Sequence, residues 1–207
     1  MIQVDDLSVR LGGKVILKHV HLHIPAGETH VLFGPNGSGK TTLLMAIMGF
    51  PEYEIISGRI MFQGEEITQL SIDERARRGI GLSFQRPPTI KGLKTRHVLE
   101  ICNRSHRDLG PLIEKFNFQD FLSRDINQGF SGGEIKKSEL LQLLSQGPEL
   151  ILLDEPESGV DLESIATIGN IINQLLEKEW QLEAVKSKKE MRQERHVAGL
   201  IITHTGY

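Results

Sequence analysis

The chain has 207 residues, 39% of them hydrophobic, enough for one sizeable core with room for a subdomain. Its formal net charge of -3 excludes the basic face expected of a nucleic-acid-binding domain. The lone Cys102 excludes an internal disulfide and fits a reducing, cytoplasmic setting, and no apolar run approaches the ~20 residues of a membrane span. The opening MIQVDDLSVR lacks the basic-then-apolar order of a signal peptide, so any membrane role requires a partner and not direct insertion.

In chain order, the first segment alternates as an antiparallel sheet does. KHVHLHI puts Val20, Leu22 and Ile24 on one face and His19, His21 and His23 on the other. Three histidines on one face are either a metal site or an exposed strand face, and no carboxylate or cysteine flanks them in the sequence. THVLF (29–33) reads as a buried strand leading to a glycine loop and a helix from about Thr41 to Met48. GRIMFQGEEI reads as a strand turning at Gly64-Glu65. Ser71 and Glu74 form a capping-box pattern for a short charged helix, and IGLSF (80–84) is a further strand.

From about 91 to 146 the pattern is mainly helical, with segments near 95–104, 111–118 and 132–145. Cys102 reads as a buried helix residue within this block. ELILLD (149–154) and GLIIT (199–203) are continuous apolar strands of the kind found in a parallel sheet covered on both faces. Between them, 177–195 mixes acidic and basic residues around Trp180, Val185 and Met191, either a solvated helix or a docking surface. The arrangement is an α/β core with an antiparallel β subdomain and an inserted helical subdomain, a single domain over 1–207.

GPNGSGKT places Gly34, Pro35, Asn36, Gly37, Ser38, Gly39, Lys40 and Thr41 in the Walker A pattern, followed by Thr42. Its glycines let successive amides wrap phosphates, Lys40 supplies a point charge, and the Thr41 hydroxyl can ligate Mg²⁺. Asp154 at the end of an apolar strand suits the Mg²⁺ shell. Glu155 is either the group that polarises an attacking water or a second carboxylate of that shell. Gln85 and His204 also end apolar strands. GFSGGEIKKSEL (129–140) opens a second anion-binding helix start: Ser131 and Glu134 form a capping box, while Gly132 and Gly133 leave the first amides bare.

Walker A, then Gln85, FSGGE, LILLDEP with SGVD, and His204 follow the motif order of ABC-type ATPase cassettes over nearly the whole chain, which the sequence therefore resembles. Within that superfamily GFSGGE, EIKKSELLQ, DEPESGVD and EIISGRIMFQGEEITQLSIDERARRGIGLSFQ are similar to the SufC-like branch, the ATPases of Suf iron–sulphur cluster assembly. The resemblance implies ATP hydrolysis with Mg²⁺ at a site shared by two copies of the chain. Ser131, Gly132 and Gly133 would act on the γ-phosphate held by the second copy, with Asp161 at the seam. Gln85 would sense Mg²⁺ and water, and His204 would contact the γ-phosphate. It further implies SufB- and SufD-like scaffold proteins as partners; the alternative is the motor subunit of an ABC membrane transporter. Cys102 alone cannot hold a cluster, so any cluster sits on partners. Leu11 stands where many cassettes carry an adenine-stacking aromatic, so base selection is expected to be weak. The sequence stops three residues after His204, where the family continues, so the C-terminus is expected to be truncated.

Overall fold

The computed structural model describes residues 1–104, 106–176 and 195–203. The alternating N-terminal segments form an antiparallel sheet of β1 (Ile2–Leu11), β2 (Lys14–Ile24), β4 (Tyr53–Phe62) and β5 (Glu65–Glu66), in the order β2-β1-β4-β5. On β2, Ile24 is buried and Val20 and Leu22 half-buried, while His19, His21 and His23 face solvent. One detail corrects the sequence reading. An irregularity in the β1–β2 register brings Asp6 opposite the histidines, with its Oδ1 2.8 Å from His19 Nδ1 and 3.8 Å from His21 Nε2. The carboxylate comes from the neighbouring strand, which local sequence does not reveal. Among the described residues, no group of three or more His, Cys, Asp or Glu is placed to hold a metal. The hairpin turn also falls one residue earlier than expected, at Gln63-Gly64, whose φ angles of 53° and 86° are left-handed, as a two-residue hairpin of type I′ requires.

The second sheet is wholly parallel, in the order β3 (Thr29–Leu32), β8 (Ala198–Ile202), β7 (Leu150–Asp154), β6 (Ile80–Ser83). Period-two alternation divides it between two cores. Leu150 and Leu152 of β7, with Ala198, Leu200 and Ile202 of β8, pack into a core shared with α1 (Lys40–Met48) and the antiparallel sheet. Ile151 and Leu153 face the other core, built with α5 (Gly132–Gln146) and α6 (Leu162–Leu175). Phe116, Phe118 and Phe130 join that second core, beside α3 (Thr95–Cys102) and α4 (Gly110–Lys115). Cys102, at the end of α3, is half-buried, and burial raises its thiol pKa.

β3 departs from the expectation of a buried strand. Among the described residues it borders only β8, so one flank is open, and Val31 is 45% exposed. A short apolar run can be an edge or a centre strand, and the order of the sheet decides which. The charged segment expected over 177–195 lies outside the described residues, apart from Arg195 at its end.

The C-terminus of α1 is tied to α2 (Ile72–Arg77) by a buried arginine. Arg75 donates to the carbonyls of Ala46 and Ile47 at 2.8 Å each, of Thr68 at 2.8 Å and of Leu70 at 2.9 Å. Two of these are last-turn carbonyls of α1, the negative end of its dipole, where a cation is favoured. Burial pulls the guanidinium pKa down to about 10, which still leaves it charged at neutral pH. Gly49 caps α1 in a left-handed conformation, and a β-carbon there would lie 2.8 Å from Arg75 Nε. Arg75→Met strands these carbonyls and is expected to lower the unfolding free energy by about 3 kcal/mol, read from urea denaturation.

Candidate functional site

Because β3, β8, β7 and β6 run parallel, their carboxyl ends lie along one edge, where ligands gather in such sheets. β3 runs into the phosphate loop, β6 leads to Gln85, β7 ends on Asp154, and β8 ends beside Thr203. Residues far apart in the chain are thereby collected. The loop needs left-handed backbone at Gly37 (φ 78°) and Gly39 (φ 93°), the latter serving as N-cap of α1. No side chain caps α1, so its first amides remain available to an anion at the positive end of the helix. Lys40 Nζ lies over the loop, donating to the carbonyls of Gly34 at 2.7 Å and Pro35 at 3.0 Å. Thr42 is buried in α1.

Thr41 Oγ1 donates to Asp154 Oδ1 at 3.3 Å, joining the start of α1 to the end of β7. Asp154 is 1% exposed. Burial raises its carboxyl pKa, the neighbouring Glu155 charge raises it further, and Thr41, Lys136 and Lys40 oppose the shift. Glu155 adopts a left-handed backbone (φ 46°), uncommon for a residue with a side chain, and its N–H donates to Ile202 O at 3.0 Å. Its carboxylate Oε2 accepts from Gln85 Nε2 at 2.6 Å, so two residues predicted separately now touch. Thr203, which the sequence reading did not single out, is hydrogen-bonded through its hydroxyl to Glu157, beyond Glu155. His204 lies outside the described residues.

The capping box expected at the start of α5 is present, and its two glycines are packed in an unexpected way. Ser131 Oγ accepts from Glu134 N at 3.3 Å, and Glu134 Oε2 accepts from Ser131 N at 2.7 Å. A β-carbon on Gly132 would run into the Gly159 carbonyl oxygen. One on Gly133 would lie 2.6 Å from Ser164 Cβ and 2.9 Å from Asp161 Oδ2. Close approach of 159–164 is thus a second reason for both glycines, beside the bare amides. Asp161 N-caps α6 through Ser164 N at 2.8 Å and Ser164 Oγ at 2.9 Å, and these bonds lower its pKa. The turn before Ser131 is held by Arg124, which donates to Gln128 O and Gly129 O and stacks 4.6 Å from the Phe130 ring centre. α5 packs on α6, α3 and β6, whereas α1 packs on β2, β4, α2, β6 and β7.

The family model described as "ABC transporter" matches residues 17–158. The chain belongs to the ABC ATPase family. It is 39% identical over 191 residues to "Probable ATP-dependent transporter ycf16" of Pyropia yezoensis, covering 84% of this chain and 76% of that protein. It is also 39% identical over 189 residues to "Probable ATP-dependent transporter slr0075" of Synechocystis sp., covering 84% and 74%. "Vegetative protein 296" of Bacillus subtilis is 38% identical over 186 residues, covering 83% and 71%. A solved structure described as the ATP-binding subunit of an ABC transporter superposes with a TM-score of 0.78 at 24% identity, covering 99% of this chain and 79% of that one. That likeness speaks for the fold.

An ABC ATPase binds ATP, in general with Mg²⁺, and the donors fit that ion. They are the Thr41 hydroxyl and the buried Asp154 carboxylate, both hard oxygen donors, with the Gln85–Glu155 pair beyond them. One carboxylate plus a hydroxyl is the sparse protein contribution typical of Mg²⁺, which fills its shell with waters and phosphate oxygens.

Lys136 and Glu139, buried on α5 behind Gln85, were also not singled out from the sequence. The available signal was their i,i+3 spacing next to apolar Leu140, Leu141 and Leu143, which put two charges on a buried face.

Two expectations follow from this geometry. A proton on Asp154 competes with a divalent ion, and because burial raises its pKa, Mg²⁺ dependence of nucleotide binding should weaken on acidification before an ordinary aspartate would titrate. Calorimetric titrations with and without Mg²⁺ from neutral to mildly acidic pH measure this, and Asp154→Asn should remove most of the Mg²⁺ effect. Gly133→Ala should destabilise the chain by about 1–3 kcal/mol through overpacking, with Ser164→Gly recovering part of the loss in a urea-melt double-mutant cycle.

Proposed function

We propose that this ABC ATPase hydrolyses ATP to ADP and phosphate at composite sites in a nucleotide-induced dimer. The reading rests chiefly on the convergence of Lys40, Thr41, Asp154, Glu155 and Gln85 at one sheet edge, with the 2.6 Å Gln85–Glu155 contact at its centre. The phosphate-loop amides and Lys40 hold the β- and γ-phosphates. Thr41 and Asp154 hold Mg²⁺, with Gln85 beside them; the ion's chemistry is to neutralise charge on the phosphates. Glu155 polarises a water lined up by Gln85 and takes its proton as the water oxygen bonds to the γ-phosphorus and the bond to the bridging oxygen breaks. His204 contacts the γ-phosphate. Ser131, Gly132 and Gly133 of the second copy close over that phosphate from the other side, and Asp161 lies at the seam. Supporting this seam, Leu162 next to Asp161 is 88% exposed and Ile165 is exposed as well.

For the biological role, the reading is a SufC-like cytoplasmic subunit whose closure reshapes SufB- and SufD-like scaffold proteins during iron–sulphur cluster assembly. It is supported by the stretches GFSGGE, EIKKSELLQ and DEPESGVD. Docking falls on the helical subdomain and the segment after Gln85, where Phe84, Pro87, Pro88, Ile90, Val98 and Cys102 line a cleft of about 230 Å³. A specific observation favours a second reading, the motor subunit of a membrane transporter: two of the relatives carry the printed name "Probable ATP-dependent transporter". Among the described residues no helix is long and apolar enough to cross a membrane.

Lys40→Ala is expected to abolish Mg-ATP binding in calorimetry. Glu155→Gln should keep binding but lose roughly 10²- to 10⁴-fold in phosphate release. With ATP held unhydrolysed, the Glu155→Gln protein should move from monomer to two-fold dimer on a sizing column, because a ligand shared by two chains favours their association. A column profile that ignores ATP would count against the composite site. Co-purification from the native source separates the biological readings: scaffold proteins whose addition alters turnover support the first, and a multi-span permease with no scaffold supports the second.

A further inference from the structure

Behind Gln85 lies a buried ion pair that hydrolysis as described does not use. Lys136 is 2% exposed and Glu139 6% exposed, one turn apart on α5. Lys136 Nζ and Glu139 Oε2 are 3.0 Å apart. Both side chains converge on the end of β6. Glu139 Oε1 accepts from the Phe84 N–H at 2.6 Å, and Oε2 accepts from the Ser83 hydroxyl at 2.6 Å. Lys136 donates to the Phe84 carbonyl at 2.5 Å and to Ser83 Oγ at 3.2 Å.

The main-chain groups of Phe84 are thus held at both ends, one by each member of the pair. The register of β6 with β7 runs to Ser83, opposite Leu153, so where it ends the ion pair takes over the backbone. The Phe84 carbonyl belongs to the same peptide plane as the Gln85 N–H. Fixing it sets the direction in which Gln85 leaves the strand, and Gln85 Nε2 then meets Glu155 Oε2 at 2.6 Å. The Phe84 ring packs edge-on against Phe50, 5.9 Å between centres, just past the end of α1. Desolvation offsets most of the attraction within a buried pair, so stability alone is a poor reason to keep one here. Fixed geometry is the better reason.

We propose that Lys136 and Glu139 are positioning residues for Gln85: gripping the Phe84 peptide, they tie the helix that starts at Ser131 to the Gln85–Glu155 contact. A shift of α5, such as closure of a second copy over Ser131 would produce, is then passed directly to the group that orients water. The proposal rests on the reading of Gln85 and Glu155 as parts of the hydrolytic site.

The test is a double-mutant cycle on the purified full chain, measuring phosphate release, Mg-ATP affinity and the urea midpoint. Glu139→Gln and Lys136→Met should each lower kcat roughly 10- to 100-fold with little change in Mg-ATP affinity, as displacement of a catalytic contact does. Neither should add to the loss caused by Gln85→Ala. Should both variants fail to fold, Ser83→Ala removes the two hydrogen bonds that its hydroxyl makes to Glu139 and Lys136, and its smaller kcat loss should likewise vanish in the Gln85→Ala background. Losses that add fully to that of Gln85→Ala, or a lower urea midpoint with unchanged kcat, overturn the positioning role and leave only a structural one. If Gln85→Ala itself leaves kcat unchanged, the role given to Gln85 fails and the proposal falls with it. A loss in Gln85→Ala alone overturns only the proposal.

Discussion

The fold depends on β7 being buried on both faces. Five consecutive residues, Leu150 to Asp154, are shielded from solvent, and successive side chains serve different cores. Leu150 and Leu152 anchor α1 and the antiparallel sheet, while Ile151 and Leu153 anchor α5 and α6. A strand has only two faces, so the helix carrying the phosphate loop and the helix carrying Ser131 are assigned to opposite sides of one sheet. The same strand ends on Asp154 and Glu155. Chemistry and packing therefore share a single register, and a one-residue slip would exchange the two cores and displace the carboxylates together.

What could be read in advance was local. The phosphate loop is a contiguous string whose glycines carry their own backbone requirements, and both capping boxes need only four residues each. Strand-end positions for Gln85, Asp154 and Glu155 followed from short apolar runs. What could not be read depends on strands meeting across the chain. Asp6 reaches His19 only through the β1–β2 register, and the exposure of β3 depends on its place in the sheet. The packing of Gly132 and Gly133 against 159–164 needs α5 and α6 side by side. The buried charges Lys136, Glu139 and Arg75 look like ordinary surface residues until their partners, largely backbone groups elsewhere in the chain, are known.

These buried charges follow a common logic. Each is placed where the regular hydrogen-bonding of an element runs out: Arg75 at the last turn of α1, and Lys136 with Glu139 where the β6–β7 register ends. A long charged side chain can satisfy such loose backbone groups and fix their direction, which an apolar residue cannot do. Arg75 thus holds the far end of the phosphate-loop helix, and the Lys136–Glu139 pair holds the strand end beside Gln85.

The pairing of β3 with β8 has a kinetic side. Thr29 lies beside Gly199 and Leu32 beside Ile202, so these neighbours in the sheet are separated by most of the chain. During synthesis the β1–β2 hairpin can close almost at once. β3 must wait until residues near 200 have emerged before it finds its place. The phosphate loop hangs from β3, so the earliest-made part of the nucleotide site is among the last to be held in position. Until then the antiparallel sheet and α1 can form without β8 to support the strand that leads into the loop.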